Sequence, residues 1–141
     1  MRSTSSNVVS ISGLEYIGES NQQMGDGGLI IQITDDATGA AIFSDATWSS
    51  LVIHRAPLDT SCENDPDPDV TCEFSATEAP AGWTTADFDD SDWTPATVWS
   101  EGDVSPKDGY GEISWYESAR LIWGPDLEVD NTVLFRASTA A

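Results

Sequence analysis

The sequence predicts an all-β fold, a two-sheet antiparallel β-sandwich, from the pattern of its apolar residues. Apolar runs are short, are interrupted by Gly, Pro, Asp, Asn and Ser, and nowhere recur at helical spacing over three turns. Of the 141 residues, 39% are hydrophobic, with six Trp, four Phe and three Tyr. A chain of this length and content can bury one core, so we expect a single domain over residues 1–141.

Eight strands are predicted in chain order, the first two within the N-terminal residues 1–24. The third and fourth should form an antiparallel hairpin, because residues 35–39 between them end in Gly39, which can adopt positive φ in a tight loop. The predicted strands cover residues 8–12, 14–17, 29–34, 41–43, 51–55, 97–99, 120–123 and 132–137.

Residues 58–81 are predicted to be an acidic loop insertion that lies outside the sheets. This segment contains alternating acids and prolines and both cysteines of the chain, Cys62 and Cys72. A disulfide between them would close a loop of about 11 residues and stabilise the fold by roughly 2 to 3 kcal/mol. The alternative is a pair of free thiols in a cytosolic protein.

The charge balance restricts the partners of the protein. It has 25 acidic and five basic residues, a formal net charge of -20. Nucleic acid and anionic membranes are excluded as partners, because both are bound through Lys and Arg. No apolar run is long enough for a signal peptide or a membrane span, so we expect a processed module with no membrane insertion. Such acidity suits a saline or calcium-containing medium, and we expect an extracellular or cell-surface location.

Catalysis has little support in the sequence. The single histidine, His54, lies between Ile53 and Arg55 in a predicted strand and has no nucleophile motif near it. Among 25 acidic residues, a pair of carboxylates with glycosidase spacing would arise by chance. We therefore expect a protein that is not an enzyme.

A cluster of acids at residues 89–92 is a candidate cation site. Asp89, Asp90 and Asp92 supply the hard oxygen ligands that calcium prefers, so one interpretation of this cluster is a site for calcium as a structural cofactor. The alternative is that these side chains cap the backbone amides of the turn before Trp93.

Several aromatic residues are candidates for sugar binding. Trp48, Trp93 and Trp123 lie in or beside apolar strands and are predicted to be core residues. Other rings lie in or near a polar, glycine-containing stretch, where an aromatic face can stack on a pyranose. Alternatively, the same rings fix that loop to the sandwich. This second group comprises Trp99, Tyr110, Trp115 and Tyr116.

Six short motifs follow one another between residues 25 and 137. They are Asp26-Gly27-Gly28, Ser44-Asp45-Ala46-Thr47-Trp48, Gly82-Trp83, Phe88-Asp89-Asp90-Ser91-Asp92-Trp93, Ala119-Arg120-Leu121-Ile122-Trp123 and Val133-Leu134-Phe135-Arg136. In this order they resemble the galactose-binding-like jelly-roll modules, above all the accessory domains of α-L-rhamnosidases and β-galactosidases. The resemblance implies a jelly-roll sandwich and a carbohydrate-binding role.

Two functions follow as expectations. The first is a non-catalytic carbohydrate-binding module that recognises a glycan or another extracellular matrix or surface polymer. The alternative is a structural module of an adhesin, filament or surface coat, which would self-associate through the edge strands of the sandwich. Copies that each carry -20 repel one another, so this assembly would need salt or divalent cations.

Overall fold

The structure, a computed structural model, describes residues 7–14 and 27–139. These residues form antiparallel strands with two very short α-helices, which confirms the predicted all-β class. The strands are β1 (Asn7–Leu14), β2 (Gln32–Thr34), β3 (Ala41–Phe43), β4 (Ser49–Arg55), β5 (Ser75–Ala76), β6 (Thr94–Pro95), β7 (Thr97–Trp99), β8 (Leu121–Trp123) and β9 (Asp130–Thr139). The helices are α1 (Pro68–Thr71) and α2 (Glu101–Val104), with 3₁₀ turns at Thr60–Asn64 and Tyr110–Glu112.

The largest sheet is organised around β9. On one side β9 pairs with the whole of β1, from Asn7↔Thr139 to Leu14↔Thr132, and on the other side it pairs with β4. The two-residue strands β5 and β6 then pair with β4. A predicted strand over residues 14–17 lies outside the described residues, apart from Leu14 at the end of β1.

The predicted hairpin is confirmed. Strands β2 and β3 pair antiparallel from Gln32↔Phe43 to Thr34↔Ala41. In the connecting turn the Asp35 carboxylate accepts the Ala37 N–H at 2.9 Å, and Gly39 has a φ of 72°. The local sequence therefore determines this element, because both the turn cap and the left-handed residue lie within it.

Ser44, which is completely buried, joins the hairpin to the residue before β8 through its hydrogen bonds. Its hydroxyl donates to the Arg120 carbonyl at 2.7 Å and accepts the Ile31 N–H at 2.9 Å, while its own carbonyl accepts the Arg120 N–H at 2.8 Å. Strand β8 also pairs with β7 and bridges to Leu29. A serine is needed at position 44 because one short hydroxyl both donates and accepts.

The core draws on both the large sheet and the smaller strand pairs. Trp48 and Trp123 are 1% and 2% exposed, as predicted for core residues. Trp93 was predicted to join them but lies half-buried against Trp83 and Phe88, in a separate aromatic group. The buried members of the core cluster are Trp48, Ala96, Ile122, Trp123, Val133, Phe135 and Ala137.

The disulfide prediction is confirmed. Cys62 and Cys72 are both buried and bonded to each other, with their Cα atoms 5.2 Å apart, and they link the first 3₁₀ turn to the end of α1. The predicted insertion over residues 58–81 does not stay wholly outside the sheets, because β5 lies within it and pairs with β4. No described helix has the length and apolar character required to cross a membrane.

Candidate functional site

Two of the predicted sugar-binding aromatics form a stacked pair. The rings of Tyr110 and Trp115 have centroids 5.8 Å apart and planes inclined by 27°. The Trp115 indole N–H donates to the Tyr110 carbonyl at 3.0 Å, which fixes the indole across the 3₁₀ turn. Both side chains are half-buried, so part of the pair faces solvent.

Tyr116 follows Trp115 directly in the same segment. It is 55% exposed and rests against the Phe43 ring of β3, with centroids 5.3 Å apart. The Gln32 side chain of β2 holds the segment in place, because it accepts the Tyr116 N–H at 2.9 Å and donates to the Ser114 carbonyl at 3.2 Å. We call Tyr110, Trp115 and Tyr116 the aromatic shelf.

Trp99 has a different environment from the shelf. It lies on β7, is half-buried against the core, and donates its indole N–H to the Gly124 carbonyl at 3.0 Å. The alternative prediction, an aromatic ring that fixes the chain to the fold, describes Trp99 better than a sugar platform does.

The shelf has the chemistry of a carbohydrate platform. Aromatic faces stack on the apolar C–H face of a pyranose, and adjacent carboxylates accept its hydroxyl protons. Asp108, Glu112 and Glu117 are neighbours of the shelf residues in the chain, and all three are exposed. The shelf therefore combines partly exposed aromatic rings with nearby acceptor groups.

The acids predicted to bind calcium are largely engaged within their own turn. Asp90 pairs with the Arg136 guanidinium at 2.9 Å, and Asp89 accepts the Ser91 N–H at 3.0 Å. Hydrogen bonds from the Ser91 hydroxyl and N–H lower the pKa of Asp89. Asp92 is exposed. In the described part of the chain, no group of three or more His, Cys, Asp or Glu side chains is placed to hold a metal, so calcium binding stays a prediction.

The contacts of Arg136 show the structural role of the sequence motifs at residues 82–93. Its side chain is 3% exposed and lies over the Phe88 ring, 5.2 Å from the ring centroid. The guanidinium donates to the Asp90 carboxylate, to the Ser10 hydroxyl and to three backbone carbonyls, those of Trp83, Thr85 and Phe88. The motifs Gly82-Trp83 and Phe88-Asp89-Asp90 therefore supply acceptors for the buried Arg136 guanidinium. Sequence reasoning missed this role, although an Arg within an otherwise apolar strand was a visible signal.

A second polar group is buried where β4 meets β9. Asp130 is 2% exposed, accepts the Arg55 side chain at 3.2 Å and the Asp126 N–H at 2.8 Å, and has a pKa raised by its burial. Next to it, His54 Nδ1 lies 2.8 Å from the Asn131 carboxamide oxygen. The Asn131 Nδ2 is buried without a hydrogen-bond partner. His54 also meets the Phe74 ring edge-on, and this is the environment of a histidine packed into the fold.

The chain matches no protein-family model, no curated protein and no solved structure. The resemblance to galactose-binding-like modules therefore rests on the short motifs alone. Three of those motifs now have a structural role, since Ser44 of one joins two elements and residues 82–93, which contain two others, surround Arg136. Both roles concern folding, so function must be argued from the exposed residues.

Proposed function

We propose that this chain is a non-catalytic carbohydrate-binding module of an extracellular or cell-surface protein. The observation that carries the proposal is the aromatic shelf, in which the stacked Tyr110–Trp115 pair is followed directly in the chain by the exposed Tyr116. Its ligand is a neutral glycan or a related surface polymer. The net charge of -20 favours neutral over anionic ligands, because an anion would be repelled.

We further propose that the architecture is a two-sheet jelly-roll sandwich of the galactose-binding-like type. In support, Val133 and Phe135 of the largest sheet share one buried cluster with Ile122 and Trp123 of β8. Partly buried Ile42 of β3 and Val98 of β7 pack against the same cluster. Two packed layers around a single core are the basis of a sandwich.

The way in which the shelf is held favours binding over a purely structural role. Tyr116 packs against Phe43 and is held through its backbone by Gln32, yet the residue is 55% exposed. The Trp115 N–H is used internally, so what the indole offers a ligand is its face. A ring held rigidly before binding loses little conformational entropy when a sugar stacks on it.

Calcium is a subordinate part of the proposal. Asp89 and Asp90 already bond within the turn, and the described residues contain no carboxylate group of three, so the fit to a structural cation is weak. Sugar recognition by the shelf does not depend on this ion. Removal of calcium by a chelator is therefore expected to leave glycan binding unchanged.

The test is a thermal melt followed by Trp fluorescence, with galactose, rhamnose and a panel of neutral oligosaccharides. A ligand that binds only the native state raises the melting midpoint, by an amount equivalent to about 2.7 kcal/mol at a hundredfold excess over Kd. We expect this rise in the wild type and its loss in Trp115→Ala. Phe74→Ala is the matched control, because Phe74 is another exposed ring and is not part of the shelf. The proposal is wrong if no neutral sugar changes the midpoint, or if Trp115→Ala responds like the wild type.

A second candidate function, assembly into an adhesin, filament or surface coat, has its own structural support. In the described part of the chain β1 is an edge strand that pairs only with β9, and edge strands add further strands readily. Sedimentation velocity at several protein concentrations in high salt tests this function, since only an assembly module would show a growing sedimentation coefficient.

A further inference from the structure

A cleft of about 380 Å³ opens between β3 and the end of β9. This volume lies within the range of small-ligand sites, roughly 300 to 1,000 Å³. One wall is the whole of β3, and the opposite wall is formed by Arg136, Ala137 and Ser138. Asp45 and Asp90 complete the lining from the two turns that the sequence motifs encode.

The wall formed by β3 is a strand edge on which some backbone groups are not paired with β2. The Ser44 N–H bonds to the Ile31 carbonyl, and the Asp35 N–H bonds to the Ala40 carbonyl. Because hydrogen-bonded pairs alternate along an antiparallel ladder, the backbone groups of Ala41 and Phe43 point away from β2. The Phe43 carbonyl confirms this direction, since it accepts the Trp48 indole N–H at 2.8 Å.

The opposite wall is also a strand edge. The pairing of β4 with β9 starts at Ser49↔Arg136, so Ala137 and Ser138 lie beyond the last residue of β9 that β4 reaches. On their other side both residues pair with β1. The cleft therefore lies between two edges that offer backbone donors and acceptors, with the methyl groups of Ala41 and Ala137 as apolar surface.

The charged groups of the cleft favour a neutral ligand. One oxygen of Asp45 accepts the Thr47 N–H and hydroxyl, and one oxygen of Asp90 accepts the Arg136 side chain. The second oxygen of each carboxylate bonds to no other described residue and remains an acceptor. All three guanidinium nitrogens of Arg136 donate within the fold, so the cleft has no free cation for an anionic ligand. Mixed donors and acceptors beside apolar surface match the hydroxyls and C–H groups of a sugar.

We propose that this cleft is a second carbohydrate subsite, continuous with the aromatic shelf through Phe43. Phe43 lines the cleft, and its ring also contacts Tyr116 of the shelf. One neutral sugar unit stacks on the shelf and the next unit of the same chain enters the cleft, so the ligand is a glycan of at least two units. This inference rests on the proposed function, which it extends from a single ring platform to a two-unit site.

Indole N–H signals in a ¹H–¹⁵N correlation spectrum report on the two subsites separately. The Trp48 N–H bonds to Phe43 at the cleft, and the Trp115 N–H lies in the shelf. The Trp123 N–H, bonded to the buried Asp130 carbonyl, is an internal control. Titration with the disaccharide lactose should shift the Trp48 and Trp115 signals together and leave Trp123 unchanged. Titration with galactose alone should shift Trp115 at lower concentration than Trp48.

A variant that fills the cleft provides the second measurement. Ala41 is exposed on β3, so Ala41→Tyr places a ring in the cleft, and we expect it to weaken lactose binding at least about tenfold without changing galactose binding at the shelf. Ala37→Tyr makes the same substitution in the hairpin turn, outside the cleft, and should bind like the wild type. If Ala41→Tyr does not fold, Asp45→Asn replaces the cleft-facing carboxylate and keeps an acceptor for the Thr47 turn.

The outcomes separate this inference from the proposed function. A shift of Trp115 without Trp48, together with unchanged lactose binding in Ala41→Tyr, overturns the second subsite and leaves the shelf as the carbohydrate site. A shift of Trp48 without Trp115 overturns the continuous two-unit site and the shelf together. The absence of any shift with lactose, galactose or rhamnose overturns both proposals.

Discussion

At the scale of single residues, the buried guanidinium of Arg136 is the most demanding feature of the molecule. A charge removed from water is tolerated only when it is paired and fully hydrogen-bonded. Here Asp90 supplies the counter-charge, and the Trp83, Thr85 and Phe88 carbonyls accept the remaining protons. One side chain of β9 therefore determines the conformation of the turn at residues 82–93.

Replacement of Arg136 should destabilise the fold strongly. Arg136→Met leaves the Asp90 carboxylate and three carbonyls without their donor, and we expect a loss of about 3 to 5 kcal/mol in the free energy of unfolding. Urea titration followed by Trp fluorescence measures it. Arg120→Met is the matched control, because Arg120 is exposed and should lose less than about 0.5 kcal/mol. Equal losses in the two variants would contradict this role for Arg136.

Asp130 makes stability depend on pH in the direction opposite to that of most carboxylates. Its burial raises its pKa above the ordinary value of 3.8, so the folded protein binds this proton more tightly than the unfolded chain does. Stability contributed by the protonated form is present below the unfolded pKa and is lost as the pH rises through the folded pKa. We expect the unfolding free energy of the wild type, minus that of Asp130→Asn, to fall with rising pH in this interval.

Asp59 provides a control of opposite sign. Hydrogen bonds from the Ser61 hydroxyl and N–H lower the pKa of Asp59, so its stabilising contribution is present above the unfolded pKa and is lost as the pH falls through the folded pKa. The unfolding free energy of the wild type, minus that of Asp59→Asn, should therefore rise with pH. If the differences for Asp130→Asn and Asp59→Asn change with pH in the same direction, burial does not determine the pKa of Asp130.

At the scale of elements, the β2–β3 hairpin connects the fold to the aromatic shelf. The Gln32 side-chain amide accepts the Tyr116 N–H and donates to the Ser114 carbonyl. This side chain therefore makes the backbone hydrogen bonds that a neighbouring strand would otherwise make. Phe43 packs against the Tyr116 ring on the same face of the hairpin. The hairpin therefore acts as a support that orients residues 114–116.

Gln32→Ala should loosen the shelf without unfolding the protein. We expect faster amide hydrogen exchange at Tyr116 and weaker glycan binding, while the free energy of unfolding falls by only about 1 kcal/mol, because the hydrogen bonds removed lie at the surface. Gln32→Glu is the conservative comparison, since it keeps the acceptor for Tyr116 and loses the donor to Ser114. Unchanged exchange at Tyr116 in Gln32→Ala would show that Phe43 alone holds the segment.

Elements with local determinants were predictable, and those with distant partners were not. The β2–β3 hairpin carries its turn cap and Gly39 within ten residues of both strands, so the sequence alone predicts it. Strands β5 and β6 have two residues each and exist only because β4 lies beside them, so no local pattern marks them. For the site, the shelf rings could be selected as aromatics in a polar segment, whereas the support from Gln32 depends on residues 82 and 84 positions away.

The acidic turn at residues 89–92 illustrates a different limit of sequence analysis. Carboxylates that bind calcium and carboxylates that cap backbone amides are chemically identical, so the residue types do not distinguish the two roles. In the structure Asp90 forms a salt bridge with Arg136, which lies 46 positions away in the sequence. Only the three-dimensional arrangement identifies that partner.

At the scale of the whole molecule, self-repulsion among 25 acids opposes the compact state. The Debye length falls from about 30 Å at 0.01 M salt to about 3 Å at 1 M, so added salt should screen most of this repulsion. We expect the Tm to rise with NaCl, by roughly 4 °C for each kcal/mol of repulsion that is screened.

The identity of the cation separates general screening from specific binding. Choline chloride at the same ionic strength should raise the Tm as much as NaCl does. A much larger rise with CaCl₂ at matched ionic strength would instead indicate a calcium site. A Tm that is unchanged or lowered between 0.01 and 1 M NaCl would contradict a destabilising role for the net charge.

The position of β9 in the chain has a consequence for biosynthesis. Both β1 and β4 form their main ladders with β9, and the pair Asn7↔Thr139 spans 132 positions. Of the nine described strands, β9 leaves the ribosome last, so neither ladder can form on the nascent chain until residues 130–139 have emerged. The apolar residues of the preceding strands therefore stay exposed to solvent until β9 has been synthesised and can pair with β1 and β4. During that interval the many carboxylates of the chain hold nascent copies on neighbouring ribosomes apart.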